Sequence, residues 1–352
     1  MNGYILDSGA TLRKAIGRIN GLSGGVMTLF IINRDGRMIG TLTDGDVRRG
    51  LLSGLSLDAP AMEAANRSFK AIKGDICGDT VEILRGYREK GIVLVPRLDE
   101  QDKIVEIIDL RATPTRLPVS AILMAGGKGE RLRPLTLDCP KPLLKIEDKA
   151  IIDYNIEALV AAGISDITVT TRYLAEKIEK HFEKPVGGVK VKCLREDFPL
   201  GTIGAVSLID RPRDGSTIVM NSDLITSISF EEFFLKHFST KADITIGVVP
   251  YQVSVPYAIL SIEADKVVGL QEKPSYSYYA NAGIYLFKNH ILDTICRGEK
   301  IDATDLIKNV ISGGAHVTYY PIKGTWIDVG SPTDFKQAAE LLHHHRNLAK
   351  TK

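Results

Sequence analysis

The sequence predicts an α/β protein in which a mostly parallel, Rossmann-like sheet with helices on both faces follows a smaller α+β domain. Three observations support this prediction. Strands and helices alternate from Val119 onward, which is typical of a parallel sheet. Residues 111–119 hold two prolines and no hydrophobic period, so we expect a linker at 114–118 between domains 1–113 and 119–352. The first domain contains a weak internal repeat.

The composition is that of an ordinary globular protein. A chain of 352 residues is long enough for two domains, and its 44% apolar and 25% charged residues argue against a disordered chain. Lys and Arg number 45 and Asp and Glu 43, so the net charge of +2 predicts neither a nucleic acid nor a membrane partner. No apolar run approaches the roughly 20 residues that span a bilayer. Four scattered cysteines and the lack of a basic, apolar leader predict a cytoplasmic protein.

The repeat in the first domain has the order helix, strand, turn, strand. The first copy consists of a helix from Thr11, strands at 28–32 and 38–42, and a short helix through Leu52. The second copy consists of a helix after Asp79 and strands at 92–95 and 104–108. With its segment Gly40-Thr-Leu-Thr-Asp-Gly-Asp46, the repeat resembles a pair of CBS modules.

The resemblance to CBS modules implies a regulatory adenine nucleotide at Thr43 and Asp46. A hydroxyl at a helix start suits phosphate, and a carboxylate accepts hydrogen bonds from both ribose hydroxyls. The second copy has Ile108 and Arg111 at these positions and lacks both groups. Helix capping is the alternative for Thr43 and Asp46, and a purely dimerising role is the alternative for the pair. Because CBS pairs commonly associate, the resemblance implies a homo-oligomer.

Two elements of the second domain favour phosphate binding. The first strand is followed by Gly126-Gly-Lys-Gly-Glu-Arg131, whose three glycines let backbone N–H groups approach a phosphate and whose cations add positive charge. This loop is neither a Walker A loop nor a GxGxxG fingerprint, and alone it would more often be a tight turn. The second element, Cys139-Pro-Lys-Pro142, restrains Lys141 between two prolines.

These two elements and five further ones resemble, in order and spacing, the signature of the sugar-1-phosphate nucleotidyltransferases. The further elements are Leu200-Gly-Thr-Ile-Gly-Ala205, Asn221-Ser-Asp223, Gln271-Glu-Lys-Pro274, Asn281-Ala-Gly-Ile-Tyr285 and Gly324-Thr-Trp-Ile-Asp-Val-Gly330. The resemblance implies a Mg²⁺-dependent reaction in which a sugar 1-phosphate oxygen attacks the α-phosphorus of an NTP and pyrophosphate leaves. The nucleophile is already anionic, so no general base is required.

Matching positions imply a role for each residue of the site. The implied nucleotide contacts are Ala125, Gly126, Gly127, Gly129, Arg131, Lys141 and Gly201. The implied contacts to the sugar phosphate are Gly204, Glu272, Lys273, Asn281 and Gly283. The implied catalytic residues are Arg131, Lys141 and Lys273. Asp223 and Asp328 are implied as Mg²⁺ ligands, although an isolated aspartate more often caps a turn or a helix.

The substrates follow from finer resemblances. Residues 200–205 look most like those of mannose-1-phosphate guanylyltransferases, and a CBS pair ahead of the transferase resembles the glucosamine-1-phosphate guanylyltransferases of bacterial legionaminic acid biosynthesis. These resemblances imply GTP plus glucosamine 1-phosphate, giving GDP-glucosamine. Mannose or heptose 1-phosphate and other NTPs are alternatives. A catalytically inactive subunit that senses a nucleotide or sugar is the alternative from another class, against which Lys141, Asp223 and Lys273 argue.

Overall fold

The computed structural model describes residues 2–22 and 25–350, without the side chains of Asn2 and of residues 345–350. Its internal contacts divide the chain into two units, Met1–Arg116 and Leu117–Lys352. The division lies inside the segment 114–118, for which the sequence predicts a linker. Within the described ranges, no helix combines the length and the apolar character that crossing a membrane requires.

The first unit contains the order strand, helix, strand, strand twice. Its elements are β1 (Ile5–Asp7), α1 (Leu12–Gly21), β2 (Thr28–Ile32), β3 (Met38–Thr43), α2 (Asp44–Leu52), β4 (Ile72–Lys73), α3 (Gly78–Glu89), β5 (Leu94–Leu98) and β6 (Ile104–Asp109). Each copy forms a three-stranded sheet whose first two strands are parallel and whose last two are antiparallel. The buried side chains of Phe30, Met38, Leu94 and Leu98 join the two copies in one apolar cluster.

The second strand of the second copy begins later than its sequence predicts. The strand was expected at 92–95, whereas β5 covers Leu94–Leu98. Gly91 has φ +74°, and the N–H of Ile92 donates to the carbonyl of Tyr87 at 2.9 Å. Residues 91 and 92 therefore complete the end of α3, and the chain becomes available for sheet pairing only after them.

The second unit confirms the predicted α/β fold. Its elements are β7 (Val119–Ala125), β8 (Lys145–Ile146), β9 (Lys149–Ala150), α4 (Ile151–Ala161), β10 (Ile167–Thr171), α5 (Ala175–His181), β11 (Lys192–Arg195), β12 (Ser216–Asn221), β13 (Leu224–Thr226), α6 (Phe230–Thr240), β14 (Ile244–Ser254), β15 (Ile259–Glu263), β16 (Lys266–Gln271), β17 (Ser275–Lys288), α7 (Asn289–Leu292), α8 (Ala303–Ser312), β18 (Val317–Pro321), β19 (Trp326–Asp328) and α9 (Pro332–Lys350). The central sheet has the order β11-β10-β7-β12-β17-β14-β18, and β17 alone among these seven strands runs antiparallel to its neighbours.

The central strands are apolar on both faces, which explains why they form a buried parallel sheet. Residues Ala121–Leu123 of β7 and Ile218–Met220 of β12 are all buried. The sequence predicts a helix over 173–182 and a strand over 189–194, and both elements start later for local reasons. Helix α5 begins after Leu174, which has φ +49°. Strand β11 begins at Lys192, because Val189 exchanges two backbone hydrogen bonds with Val186 in a turn.

The parallel strands place four chain segments at one edge of the sheet. Thr171 of β10 pairs with Ala125 of β7 and with Arg195 of β11, so these strands end level with one another. The end of β12 is level with them, because Asn221 pairs with Met124. The residues that follow these strands therefore lie side by side, about 4.8 Å apart from strand to strand.

Candidate active site

Two adjoining clefts open at this carboxyl edge. The first has a volume of about 450 Å³ and the second about 330 Å³, and both are lined by Met124, Gly127 and Asp223. The first cleft is also lined by four further residues with predicted nucleotide roles, Ala125, Gly129, Arg131 and Lys141. The second is also lined by two, Gly126 and Gly201. The structure thus brings together all seven residues for which nucleotide contact is predicted.

Neighbouring residues fix the conformation of the glycine-rich loop at Gly129, whereas its backbone at Gly127 faces open space. Gly129 has φ +62°, and a Cβ there would lie 3.0 Å from the Cβ of Lys141 and from the Cγ2 of Thr136. The hydroxyl of Thr136 donates to the carbonyl of Gly129 at 2.8 Å. At Gly127 a Cβ would meet no atom within 4 Å, so this part of the backbone faces open space in both clefts. Backbone N–H groups held in this way can bind phosphate.

Lys141 lies where the two predicted metal-binding aspartates converge. Its side chain is only 11% exposed, and its Nζ contacts Asp223 and lies 3.6 Å from the Oδ1 of Asp328. The aspartates are adjacent because β13 pairs antiparallel with β19, with Leu224 opposite Asp328. The N–H of Val329 also donates to the carbonyl of Asp223 at 3.0 Å. The pairing of β13 with β19 therefore brings together two aspartates that are more than a hundred positions apart in the sequence.

The two carboxylates are not fully satisfied by the protein. The Oδ1 atoms of Asp223 and Asp328 are buried and have no hydrogen-bond partner among the described residues. Burial, and then the neighbouring charge of Asp223, raise the pKa of Asp328 above its usual value, while Lys141 and Arg131 oppose that rise. A buried oxygen without a donor is costly, so these atoms suit a bound cation.

The donor set fits Mg²⁺ in particular. This ion prefers oxygen ligands and is typically bound by one or two carboxylates together with substrate phosphates and water. Across the described part of the chain, no group of three or more His, Cys, Asp and Glu side chains could form a complete metal site. Asp223 and Asp328 could therefore hold the ion only in part, and oxygen atoms of a substrate would complete its coordination.

Arg131 is accommodated at the first cleft by a glycine from a distant motif. A Cβ at Gly330 would lie 2.9 Å from the Nη2 of Arg131, so the absence of a side chain there makes room for the guanidinium. Both residues line the first cleft, and Gly330 lies two positions after Asp328. This cation therefore adjoins the carboxylate pair and the glycine-rich loop.

Glu196 and Arg172 both line the second cleft, and neither is predicted from the sequence as a site residue. Glu196 is 6% exposed, and a Cβ at Gly126 would lie 2.8 Å from its Oε1, so the carboxylate packs directly below the loop. Burial raises the pKa of Glu196, while hydrogen bonds from Leu200 and Thr170 and the charge of Arg172 oppose the rise. Arg172 and Glu196 directly follow β10 and β11, and ligands of such sheets bind at the carboxyl ends of the strands, so their positions in the sequence could have indicated them.

The far wall of the second cleft consists of two segments that hold each other. The N–H of Thr202 donates to the Oδ1 of Asp302 at 2.8 Å, and the N–H of Ala303 donates to the Oγ1 of Thr202 at 2.9 Å. Gly201 has φ +78°, and a Cβ there would lie 2.4 Å from the carbonyl oxygen of Ile301. Two hydrogen bonds and close backbone packing therefore join residues 200–204 and 299–303, which we call the wall staple, and Lys300 on it lines the cleft.

The wall staple supplies a packing reason for glycine at position 204, and contact of Gly204 with the sugar phosphate stays a prediction. A sugar close to the backbone was the expected reason for glycine at this position. In the structure Gly204 lines neither cleft, and a Cβ there would lie 2.2 Å from the carbonyl oxygen of Glu299. Close packing of two backbone segments behind the wall therefore explains this glycine.

The remaining predicted sugar contacts are only partly brought to the clefts. Gly283 has φ +69°, and a Cβ there would lie 2.5 Å from the Nδ2 of Asn221, which lines the second cleft. Asn281 donates to the hydroxyl of Tyr285 at 2.8 Å and accepts from the N–H of Gly283 at 2.9 Å, and it lines neither cleft. Glu272 and Lys273 are exposed at the end of β16 and also line neither cleft.

In the first unit, Thr43 and Asp46 form a capping box at the start of α2. The N–H of Thr43 donates to the Oδ2 of Asp46 at 2.8 Å, its hydroxyl donates to the same oxygen at 2.7 Å, and the N–H of Asp46 donates to the Oγ1 of Thr43 at 3.2 Å. Arg49 pairs with the other carboxylate oxygen. Helix capping thus describes both residues in this structure, and nucleotide binding by them stays a prediction.

A phosphate-directed loop, a buried lysine and two incompletely satisfied carboxylates place the second unit among the α/β proteins that bind phosphates at a sheet edge. The family described as Nucleotidyl transferase matches residues 120–345, and the chain belongs to this family.

Individual relatives agree with this assignment. The chain is 34% identical over 232 residues to a mannose-1-phosphate guanyltransferase of Gibberella zeae, and 30% identical over 229 residues to the mannose-1-phosphate guanylyltransferase catalytic subunit beta of Xenopus tropicalis. Each match covers 62% of this chain and 62% of the relative, so the chain spans less than two thirds of the length of these relatives. The crystal structure of HddC from Yersinia pseudotuberculosis is similar with a TM-score of 0.50 and 25% identity, over 64% of this chain and 99% of that one.

Proposed function

We propose that this chain is a Mg²⁺-dependent sugar-1-phosphate nucleotidyltransferase that joins GTP and glucosamine 1-phosphate into GDP-glucosamine and releases pyrophosphate. The observation that carries the proposal is the convergence of Lys141, Asp223 and Asp328 beside the glycine-rich loop. Family membership supports the reaction class. The names of the relatives support guanine as the base, and they make mannose 1-phosphate the second candidate for the sugar.

The reaction requires the protein to align the two substrates and to neutralise their negative charge. An oxygen of the sugar 1-phosphate forms a bond to the α-phosphorus of the NTP, the bond from that phosphorus to the bridging oxygen breaks, and pyrophosphate leaves with the electron pair. Backbone N–H groups of residues 127–129 orient the phosphates, while Arg131 and Lys141 neutralise their charge. Asp223 and Asp328 would hold Mg²⁺, which polarises phosphoryl oxygens when bound.

Glu196 supports guanine as the base. Its carboxylate can accept hydrogen bonds from both the N1–H and the 2-amino group of guanine, whereas adenine offers an acceptor at N1 and no 2-amino group. Asp223 follows β12 and Glu196 follows β11, three strand spacings away, which is roughly 14 Å. A nucleoside monophosphate can bridge that span with its phosphate at Asp223 and its base at Glu196.

We place the hexose beside Asn221 and Gly283, at the end of the second cleft nearest β17. This placement rests on Gly283, a predicted sugar contact whose backbone lies close to Asn221, and Asn221 lines the second cleft. Contact of Glu272 and Lys273 with the sugar phosphate is also part of the proposal, and it requires the exposed turn that carries them to approach the cleft. In the first unit, an adenine nucleotide at Thr43 and Asp46 would act as a regulator and would replace the hydrogen bonds of the capping box.

The test is pyrophosphate release by the full chain with Mg²⁺, over five NTPs and the 1-phosphates of glucosamine, mannose, glucose and N-acetylglucosamine. We expect the largest kcat/KM with GTP and glucosamine 1-phosphate. A preference for mannose 1-phosphate would select the second candidate and keep the reaction. No release with any pair would contradict the proposal and favour the sensing subunit.

A further inference from the structure

In the proposed function, the first cleft receives the two terminal phosphates of the NTP. The nucleoside monophosphate would span the second cleft from Glu196 to Asp223, and Asp223 lines both clefts. The β- and γ-phosphates would continue beyond Asp223 and enter the first cleft, which has a volume of about 450 Å³. Pyrophosphate, the product that these two phosphates become, would leave from the same place.

Three cations and two carboxylates line the first cleft. The cations are Lys128, Arg131 and Lys141, and the carboxylates are Glu130 and Asp223. Asp223 contacts Lys141 and is a proposed metal ligand. The proposed reaction gives Glu130 no role, although a carboxylate repels the phosphates of a bound NTP. Glu130 is therefore a charge in this lining that the proposed reaction leaves unexplained.

The carboxylate of Glu130 lies between two cations of the same loop. Its Oε1 is 3.9 Å from the Nζ of Lys128 and 3.8 Å from the Nη2 of Arg133. All three side chains are at least half exposed, so a ligand in the cleft can reach them. Phosphate oxygens are negatively charged acceptors, as carboxylate oxygens are, so a bound phosphate would compete with Glu130 for the same two cations.

The ion pairs of Glu130 contribute little to the shape of the glycine-rich loop. Ion pairs between exposed side chains stabilise a protein only weakly, because water screens them and ordering the side chains costs entropy. The loop is held at Gly129 instead, whose φ of +62° suits glycine and whose carbonyl accepts from the hydroxyl of Thr136 at 2.8 Å. Holding the loop therefore does not account for the position of Glu130.

We propose that Glu130 competes with the β- and γ-phosphates for Lys128 and Arg133 and thereby speeds the release of pyrophosphate. This role rests on the proposed function, since it requires phosphates in the first cleft. The competition weakens the binding of NTP and of pyrophosphate alike. An NTP is also held through its base and α-phosphate in the second cleft, whereas pyrophosphate depends on the first cleft alone. The carboxylate thus lowers the affinity for the product and leaves the substrate its other contacts.

The test measures the binding of pyrophosphate with Mg²⁺ to the full chain by isothermal titration calorimetry. Glu130→Gln keeps the size of the side chain and removes its charge, whereas Glu130→Asp keeps the charge. A unit charge about 4 Å away changes an affinity by about fivefold even at the dielectric constant of water, and pyrophosphate carries more than one charge. We therefore expect Glu130→Gln to bind pyrophosphate about tenfold more tightly than the wild type, and Glu130→Asp to stay within about threefold of it.

Two controls separate competition from a change of structure. Glu176→Gln removes a carboxylate from an exposed pair with Arg195 and should bind pyrophosphate as the wild type does. The gain in Glu130→Gln should shrink to less than about threefold at about 0.5 M KCl, since salt screens exposed charges. A gain that persists at high salt would contradict an electrostatic competition.

Turnover provides a second readout, because the gain in affinity should lower the inhibition constant for pyrophosphate by about tenfold. An unchanged affinity of Glu130→Gln for pyrophosphate would overturn the proposal. A weaker affinity would overturn it as well and would indicate that Glu130 holds Mg²⁺. In both cases, turnover of the variant with GTP would leave the proposed function standing. Absence of pyrophosphate binding in wild type and variant alike would overturn the competition and the proposed function together.

Discussion

Asp46 in the first unit and Asp223 in the second both follow a strand closely, yet their oxygens are satisfied in opposite ways. Asp46 accepts two hydrogen bonds from Thr43 at one oxygen and pairs with Arg49 at the other. Asp223 contacts Lys141 at one oxygen, and its other oxygen is buried without a partner in the described residues. Residue type and position are therefore alike, and the difference lies in whether the chain itself completes the carboxylate.

This difference separates a structural role from a ligand-directed one. A capping box contributes about 1 kcal/mol to the stability of its helix and needs nothing from outside. A buried acceptor without a donor costs about 1–3 kcal/mol, so its presence indicates that something else completes it. Substitutions at the two places should consequently affect different quantities, and the predictions below are arranged by the size of the expected effect.

The largest effect is expected for Asp223→Asn. The amide keeps the shape of the side chain but removes the charge that faces Lys141 and Mg²⁺, so turnover should fall by on the order of 10³. Pyrophosphate release measures it, and the melting temperature should shift by only a few degrees. Asp166→Asn, which breaks an exposed ion pair with Lys192, is the control and should turn over normally. Near-normal turnover of Asp223→Asn would remove the aspartate from the metal site.

The next largest effect is expected for Glu196→Gln. A glutamine amide can donate to the 2-oxo group of xanthine and still accept from N1–H, so the preference for GTP over XTP should shift by on the order of 10² toward XTP. The ratio of kcat/KM for the two nucleotides measures it. Glu176→Gln, in an exposed pair with Arg195, should leave the ratio unchanged. If the ratio is unchanged in Glu196→Gln and GTP is still the best substrate, the contact between Glu196 and the base is refuted, but the proposed reaction is not.

A smaller effect is expected in the pH dependence of stability. The pKa of Asp328 is raised in the folded chain above its usual 3.8, so the folded state holds this proton more tightly than the unfolded state does. Without metal, that contribution is complete below the unfolded pKa and is lost as pH rises through the folded pKa. Denaturant unfolding of the wild type should therefore show a loss that Asp328→Asn lacks, and Mg²⁺ should reverse it. Parallel curves for the two proteins would contradict the assigned shift.

The smallest effect is expected for Asp46→Ala. Loss of the capping box should lower the free energy of unfolding of the first unit by about 1 kcal/mol, as urea unfolding measures. Turnover without any added adenine nucleotide should not change, because the second unit holds the proposed catalytic residues. A large loss of turnover would show that the two carboxylates are not separated in function as their bonding indicates.

Local rules predicted much of the fold and one side of the site. The alternation of strands and helices from Val119 predicted the sheet, and Asp223 lies just after β12, where parallel strands bring their ends together. The same position after β10 and β11 could have indicated Arg172 and Glu196. The pairing of β13 with β19, which brings Asp328 to Asp223, has no local signal and followed only from the family resemblance.

Other features depend on contacts that the sequence does not display. The reason for glycine at position 204 is the carbonyl of Glu299, which lies close only in the folded chain. Glu272 and Lys273 stand in a motif that predicts sugar contact, but the extension of β14 and β17 beyond the central sheet carries them to an exposed turn. Thr43 and Asp46 stand three residues apart, which is the spacing of a capping box, so the sequence itself indicated helix capping as the alternative role of Asp46.

The wall staple sets the order in which the site is completed during synthesis. Thr202 and Asp302 are 100 positions apart, so the hydrogen bond between them cannot form until both have been synthesised. At about 5–20 residues per second, a ribosome needs roughly 5–20 s to make the intervening chain. During that time the growing chain already contains the glycine-rich loop and Lys141. It contains Asp223 once about twenty residues beyond Thr202 have been added. A nascent chain can thus contain its glycine-rich loop before the wall of its second cleft exists.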